Sequence, residues 1–315
     1  MTVGGALLVY AVAVGTTGLG WFRRARWPSR SPHLAAALYL AAAWSVLAAL
    51  TLAGITLAVP ATALGGGISN VLGACVLRLR AEYATPGGAV VAGLGIAIST
   101  ALILRVAIAT FIQVSATRTQ ARRQVELAQL VGRDEPGLGA LVVDSEQPCA
   151  FCVGGAQPTI VFTSAALDAL DRRQLDAVLA HERAHLTRRH HRLQTAAKVL
   201  ARALPIVPLL RDAPGELGRL IEMHADDVAA VEHDRSVLAT ALVALAGGPA
   251  RQPALAAAAT DALARMRRLL APAPPLNLAG RQLARASVAL LVLLPVLMAG
   301  TPAFIALAMG RVSPR

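Results

Sequence analysis

The chain has 315 residues, of which 56% are apolar and only 15% charged, with a mean hydropathy of +0.57. Soluble domains carry about 25% charged residues, so an ordinary soluble globular domain is excluded. The formal charge is +12, nearly all of it arginine, with Lys198 the sole lysine; such a balance suits nucleic acid or one face of a membrane, and its distribution along the chain decides between them.

The first predicted element is the uncharged run from Val3 to Phe22, followed by Arg23, Arg24 and Arg26. Cleavable signal peptides place their positive charge before the apolar run, so this segment reads as a signal anchor with the N-terminus outside. Leu34 to Val59, Ala89 to Gln113 and Ala286 to Met309 are three more stretches of the length that crosses a bilayer. The third span holds Arg105 near its C-terminal end, where the side chain is expected to snorkel to the interface. Pro60 to Leu77 is uncharged but rich in glycine, with Ser69 and Asn70, and reads as an extracellular loop or a surface-lying helix. Arg23, Arg24, Arg26, Arg30, Arg118, Arg122, Arg123, Arg281 and Arg285 then share one side of the membrane, against Arg78, Arg80, Arg311 and Arg315 on the other. The positive-inside rule puts the larger group in the cytoplasm. The expected layout is three spans within 1–114, a cytoplasmic domain over 115–285, a fourth span over 286–309 and a short extracellular tail over 310–315. The partner implied is the lipid bilayer of the plasma membrane, and direct nucleic-acid binding is not expected.

Within the cytoplasmic segment, Leu138 to Asp144 and Thr159 to Thr163 are short, β-rich and flanked by Gly and Pro, so they read as strands. Gly154, Gly155 and Pro158 mark a turn before the second. Cys149 and Cys152 form one C-x-x-C without a second pair, and Cys75 stands alone, so these read as ordinary buried or loop cysteines. Asp171 with Gln174 three residues on has the form of a capping box. Leu175, Val178, Leu179 and Leu186 follow at helical spacing. A further helix is predicted from about Glu216 to His233, and Ala271 to Pro275 reads as a linker into the last span.

The chemistry concentrates in His181-Glu182-Arg183-Ala184-His185. On a helix, positions i and i+4 share a face, so the two imidazoles can hold one zinc ion. Zinc activates water for attack on a carbonyl, and Glu182, between the histidines, is placed to take the proton. Catalytic zinc takes three protein ligands and leaves one position open. Glu222 supplies the third, on the second helix. Asp226, one turn further, is then expected to accept a hydrogen bond from a ligand histidine and fix its tautomer. His224 could compete as the third ligand, but it sits two residues on and is expected to point elsewhere. His190 and His191, among Arg188, Arg189 and Arg192, read as a solvated basic turn near anionic lipid, with transition-state or substrate contact as the functional alternative.

The runs VLAHERAHL, RHH and EMHADDVA resemble the BlaR/MecR-type membrane metallopeptidases, and PCAFCVGG with TIVFTS resembles the strand region of that family. The resemblance implies a polytopic α-helical membrane protein with an α+β zincin-like peptidase domain inserted between the third and fourth spans. It implies one zinc ion per chain on His181, His185 and Glu222, with Glu182 as general base and Asp226 behind the ligands. Phe151, Val153 and Gly154, on an edge strand, become the place where an extended substrate adds. The implied substrate is a cytoplasmic protein such as a BlaI/MecI-like DNA-binding repressor. The best-studied members carry a penicillin-binding sensor after the last span. This chain ends at Arg315 and has no S-x-x-K serine site, so direct β-lactam sensing is not expected. Two other readings share the same motifs. One is a membrane quality-control or prenyl-protein protease, and the other a non-catalytic membrane signalling protein that keeps zinc for folding.

Overall fold

The structure is a computed structural model and describes residues 3–58, 88–246 and 253–312. Pro60 to Leu77, with Cys75, lies outside the described residues. Helix α1 (Val3–Arg24) leads through a 3-10 turn (Trp27–Arg30) into α2 (Pro32–Ala58), and α3 spans Gly88–Val131. Four strands follow: β1 (Gly132–Glu135), β2 (Ala140–Val143), β3 (Ala150–Val153) and β4 (Thr159–Thr163). The regular elements described after them are helices: α4 (Ser164–Ala169), α5 (Arg172–Thr187), α6 (His190–Ala203), α7 (Pro208–Arg211), α8 (Ala213–Ala229), α9 (Arg235–Ala246), α10 (Pro253–Leu270) and α11 (Leu278–Val312).

Among the described residues, four helices are long and apolar enough to cross a membrane, over Val3–Arg24, Pro32–Leu57, Val90–Val131 and Leu278–Thr301. The third does not stop at residue 113. No glycine or proline interrupts the chain between Gln113 and Gly132, so the helix runs on for 44 residues in all, about 66 Å at 1.5 Å per residue. A Cβ at Gly132 would collide with the Ala128 carbonyl, and there the helix gives way to β1.

Helix α2 is the hub of the bundle, packing against α1, α3, α11 and also α8. It meets α3 where Gly54 and Gly95 face each other so closely that a Cβ on either would clash with the other's carbonyl. Small residues at such crossings let helix backbones approach in lipid. Ser99 Oγ donates to Thr51 O across the same crossing, at 2.9 Å. The end of α1 lies against the start of α8: Arg23 Nε donates to Glu216 at 2.7 Å and its Nη2 lies 3.2 Å from Asp212. Buried Tyr39 of α2 donates to Leu209 O at 2.6 Å. The Leu204–Val207 connection reaches up along α1 until Val207 touches Gly15, and Ile206 there is 83% exposed.

Arg105 has partners of its own in the structure. It donates to Ala203 O and Arg202 O at the C-terminus of α6. The last carbonyls of a helix lack partners within it and carry the negative end of its dipole, so they hold this cation in place of the lipid interface.

The sheet runs in the order β1-β2-β4-β3, with β2 and β4 parallel and the outer pairs antiparallel. Both predicted strands are present, and β1 and β3 add the edges. Phe162, Ile160, Ala166, Leu175, Val178 and Leu179 form the core that seats α5 on the sheet. The capping box at Asp171 is complete: Gln174 N donates to its carboxylate at 2.9 Å and Asp171 N donates to the Gln174 side chain at 3.0 Å. Residues 271–277 have no regular structure, in keeping with a linker.

Candidate metal centre

Helix α5 carries His181 and Glu182 on its buried side, at 7% and 9% exposure, with His185 half-buried one turn on. Helix α8 packs against α5 and presents Glu222 to the same point. His181 Nε2 and His185 Nε2 are 3.1 Å apart. Glu222 Oε2 lies 3.5 Å from the first and its Oε1 3.6 Å from the second. Donors bound to one tetrahedral zinc at 2.0–2.1 Å sit about 3.3 Å from one another. The three side chains therefore stand at metal-binding spacing, and two imidazoles with a carboxylate suit zinc chemically.

Behind them lies Asp226, 1% exposed, with Oδ1 3.1 Å from His181 Nδ1. The carboxylate stands off the N–H direction, so the contact is electrostatic and not a straight hydrogen bond. Sequence reasoning missed its partner. Arg265 of α10 grips Asp226 with two bonds, Nε at 2.9 Å and Nη2 at 2.6 Å. Its Nη1 lies 2.9 Å from Glu222 and its Nη2 3.4 Å from His181 Nε2. One guanidinium thus fixes the two acids relative to each other, as a planar fork can and an ammonium cannot. The only signal in LARMRRLL is a cation at 265 on a helix that also buries Leu269, and nothing in the sequence ties that cation to the metal helix.

The charges set the protonation of the metal-free site. Burial pushes His181 down, yet Asp226 and Glu222 outweigh it and raise the imidazole to about 9. Burial likewise pushes Glu222 up, and His181, Arg265 and His185 bring it down to about 2. Asp226 is held below the usual carboxylate range: burial opposes this, but Arg265 and His181 prevail. His185 falls to about 4, chiefly through burial. Glu182 is raised, again chiefly by burial, which suits a group that must accept a proton near neutral pH.

His190 departs from its expectation as a solvated turn. It is 2% exposed. Arg189 adopts the left-handed conformation, φ 54° and ψ 40°, reversing the chain between α5 and α6 and turning His190 inward. His190 Nδ1 lies 3.1 Å from His185 Nδ1, and its Nε2 lies 3.1 Å from His224 Nδ1. If His185 Nε2 is kept for a metal, its proton sits on Nδ1 and donates to His190. His190 must then carry its own proton on Nε2 and donate to His224. The row thus fixes the tautomer of His185.

A cavity of about 370 Å³ opens over the donors. Phe151 and Cys152 of β3 form one side, and Val178, Leu238, Leu242 and Leu245 give an apolar wall. Cys152 is thus no remote loop cysteine, and its thiol, pushed up by burial, lies within hydrogen-bonding reach of Glu182. Cys149 is exposed. Of the residues expected to receive substrate, Phe151 lines this cavity. Val153 is buried. Gly154 lies against the His191 ring, which a Cβ there would strike.

Two helices bearing an H-E-x-x-H pair and a third acidic donor, beside an apolar cleft with an edge strand, make up a site of the metal-dependent hydrolase type. Residues 115–211 match the model of Peptidase family M48. The match supports a peptidase and takes in the sheet, α5 and α6. It ends before Glu222, Asp226 and Arg265, whose placement rests on the geometry. No curated protein and no solved structure matches the chain.

Proposed function

We propose that this chain is a membrane-anchored zinc endopeptidase. The observation that carries the reading is the convergence of His181, His185 and Glu222 at metal spacing with Glu182 beside them. Zinc supplies Lewis-acid activation of water and of the scissile carbonyl when bound. Glu182 takes the proton from the attacking water and delivers it to the leaving nitrogen. Asp226 and Arg265 hold His181 and Glu222 in register. An extended stretch of the substrate adds along the free edge of β3, which has no further strand partner among the described residues. One apolar side chain of the substrate then rests on Leu238, Leu242 and Leu245.

In this reading 115–285 is the catalytic segment and faces the cytoplasm with the arginine-rich loops, and both termini lie outside. The substrate is a cytoplasmic protein, and the BlaR/MecR resemblance suggests a repressor. Three donors around an open cavity speak for catalysis over a closed structural zinc site, which normally takes four protein ligands. The test compares wild type with Glu182→Gln in liposomes, scoring zinc content and processing of co-expressed cytoplasmic proteins. Both should bind one zinc, and only the wild type should cleave. Cleavage that survives Glu182→Gln would remove Glu182 from the mechanism.

A further inference from the structure

A second cavity, of about 420 Å³, lies where the first loop meets α5 and α8. Its wall includes Arg30, Ser31 and His33 from the start of α2 and the turn before it, Arg188 from the end of α5, and His224 from α8. Neither Arg30 nor Arg188 makes an ion pair with any described residue, and both are exposed to the cavity mouth. Ser31, 6% exposed as a residue, lines the same cavity. Arg281 and Arg285, from the start of α11, act electrostatically on His33 as well.

Two acids share the wall, Asp227 and Glu232. Asp227 is already neutralised, with Arg268 at 2.6 Å and Arg235 at 3.7 Å. Glu232 is exposed to water. The net field inside is therefore cationic. The donors that line the cavity are two guanidinium forks, a serine hydroxyl and two imidazoles, the set that binds a phosphate group.

The level of the cavity in the fold narrows the source. The apolar part of α1 ends just before Arg23, that of α2 begins just after His33, and that of α11 begins just after Arg285. The cavity thus lies where the span ends meet the headgroup layer. From this the geometry points to a binding site for the phosphate of an anionic phospholipid headgroup, held by Arg30, Arg188, Ser31, His33 and His224. Arg30 belongs to the first loop and Arg188 to the helix that bears His181 and His185. A phosphate bridging them ties the metal-binding helix to the membrane surface. The site stands whether or not the chain is a peptidase.

The full chain is purified and reconstituted in phosphatidylcholine nanodiscs, and retention of added phosphatidylglycerol is read by native mass spectrometry. Inorganic phosphate is tested alone in a parallel arm. Wild type should retain phosphatidylglycerol, and Arg30→Gln with Arg188→Gln should weaken retention at least about tenfold, the loss of charge-assisted hydrogen bonds. Both arginines are exposed and unpaired, so thermal unfolding in phosphatidylcholine alone should not change, which confirms that the variant folds. Binding of inorganic phosphate with the same arginine dependence, without lipid retention, keeps the phosphate site and makes its ligand soluble. Equal retention by wild type and the double variant in both arms overturns the proposal.

Discussion

Among single residues, the deciding feature is the group of four charges that converges on the metal point. His181 is raised to about 9 in the metal-free site, so below that pH it must lose a proton before Nε2 can serve a metal. Metal binding is then proton-coupled, and affinity should rise about tenfold per pH unit from pH 6 to 8 and flatten above 9. Zinc titrations against a competing chelator at several pH values measure this; a flat profile over that range would remove the proton from His181. His181→Ala should abolish stoichiometric zinc, and metal analysis of the purified variant settles it. Arg265→Gln is a sharper test of how the acids are held. It leaves buried Asp226 without its bidentate partner, and breaking a buried ion pair costs about 3–5 kcal/mol. A large drop in thermal stability together with weaker zinc binding is expected, and an unchanged melting curve would show that Arg265 holds nothing.

At the level of elements, the sequence made the metal helix legible because two codes agreed there: a capping box set its start, and apolar periodicity set which side is buried. Asp171→Ala removes that cap and should lower stability by about 1 kcal/mol, read by denaturant unfolding in detergent, with zinc content unchanged. The spans were legible from length and charge. What stayed hidden was local chemistry decided by distant partners. Strand β1 (GRDE) has no β-pattern at all and forms because Gly132 ends α3 beside β2. Strand β3 has four residues and becomes a strand through its pairing with β4. His190 reads as polar surface until the left-handed turn at Arg189 carries it inside. Helices α9 and α10 gave no chemical signal, yet they supply the apolar wall and Arg265. That wall yields its own prediction. Leu242→Asp should cut cleavage of sites flanked by apolar residues at least about tenfold, since a buried charge meets the side chain the wall would receive, and peptide-library profiling before and after the change measures it.

Across the whole molecule, the apolar helix bundle and the segment that carries the candidate metal site are not separate in packing. A single core joins Leu7, Phe22, Tyr39 and Val46 of the first two helices to Leu200, Leu209, Leu210, Leu217 and Leu220 of the catalytic half. The five leucines are at most 1% exposed, and burying such a side chain is worth about 1.5–3 kcal/mol. Their burial totals roughly 7–15 kcal/mol, and stripping away α1 and α2 would uncover part of it, a large share of the 5–15 kcal/mol that holds a whole domain. It would also remove the Tyr39 bond to Leu209 O and the Arg23 pairs with Glu216 and Asp212. Helix α8, which carries Glu222 and Asp226, rests on that core through Leu217 and Leu220, so the metal point inherits its geometry from the bundle. The expectation is that residues 115–275 expressed alone aggregate, or unfold without cooperativity, and hold less than stoichiometric zinc, although every metal donor is present. The check is zinc content and thermal unfolding of that fragment beside the full chain. A soluble fragment with one tight zinc and sharp unfolding would show that the catalytic half is a separate domain and that the shared core is incidental to the site.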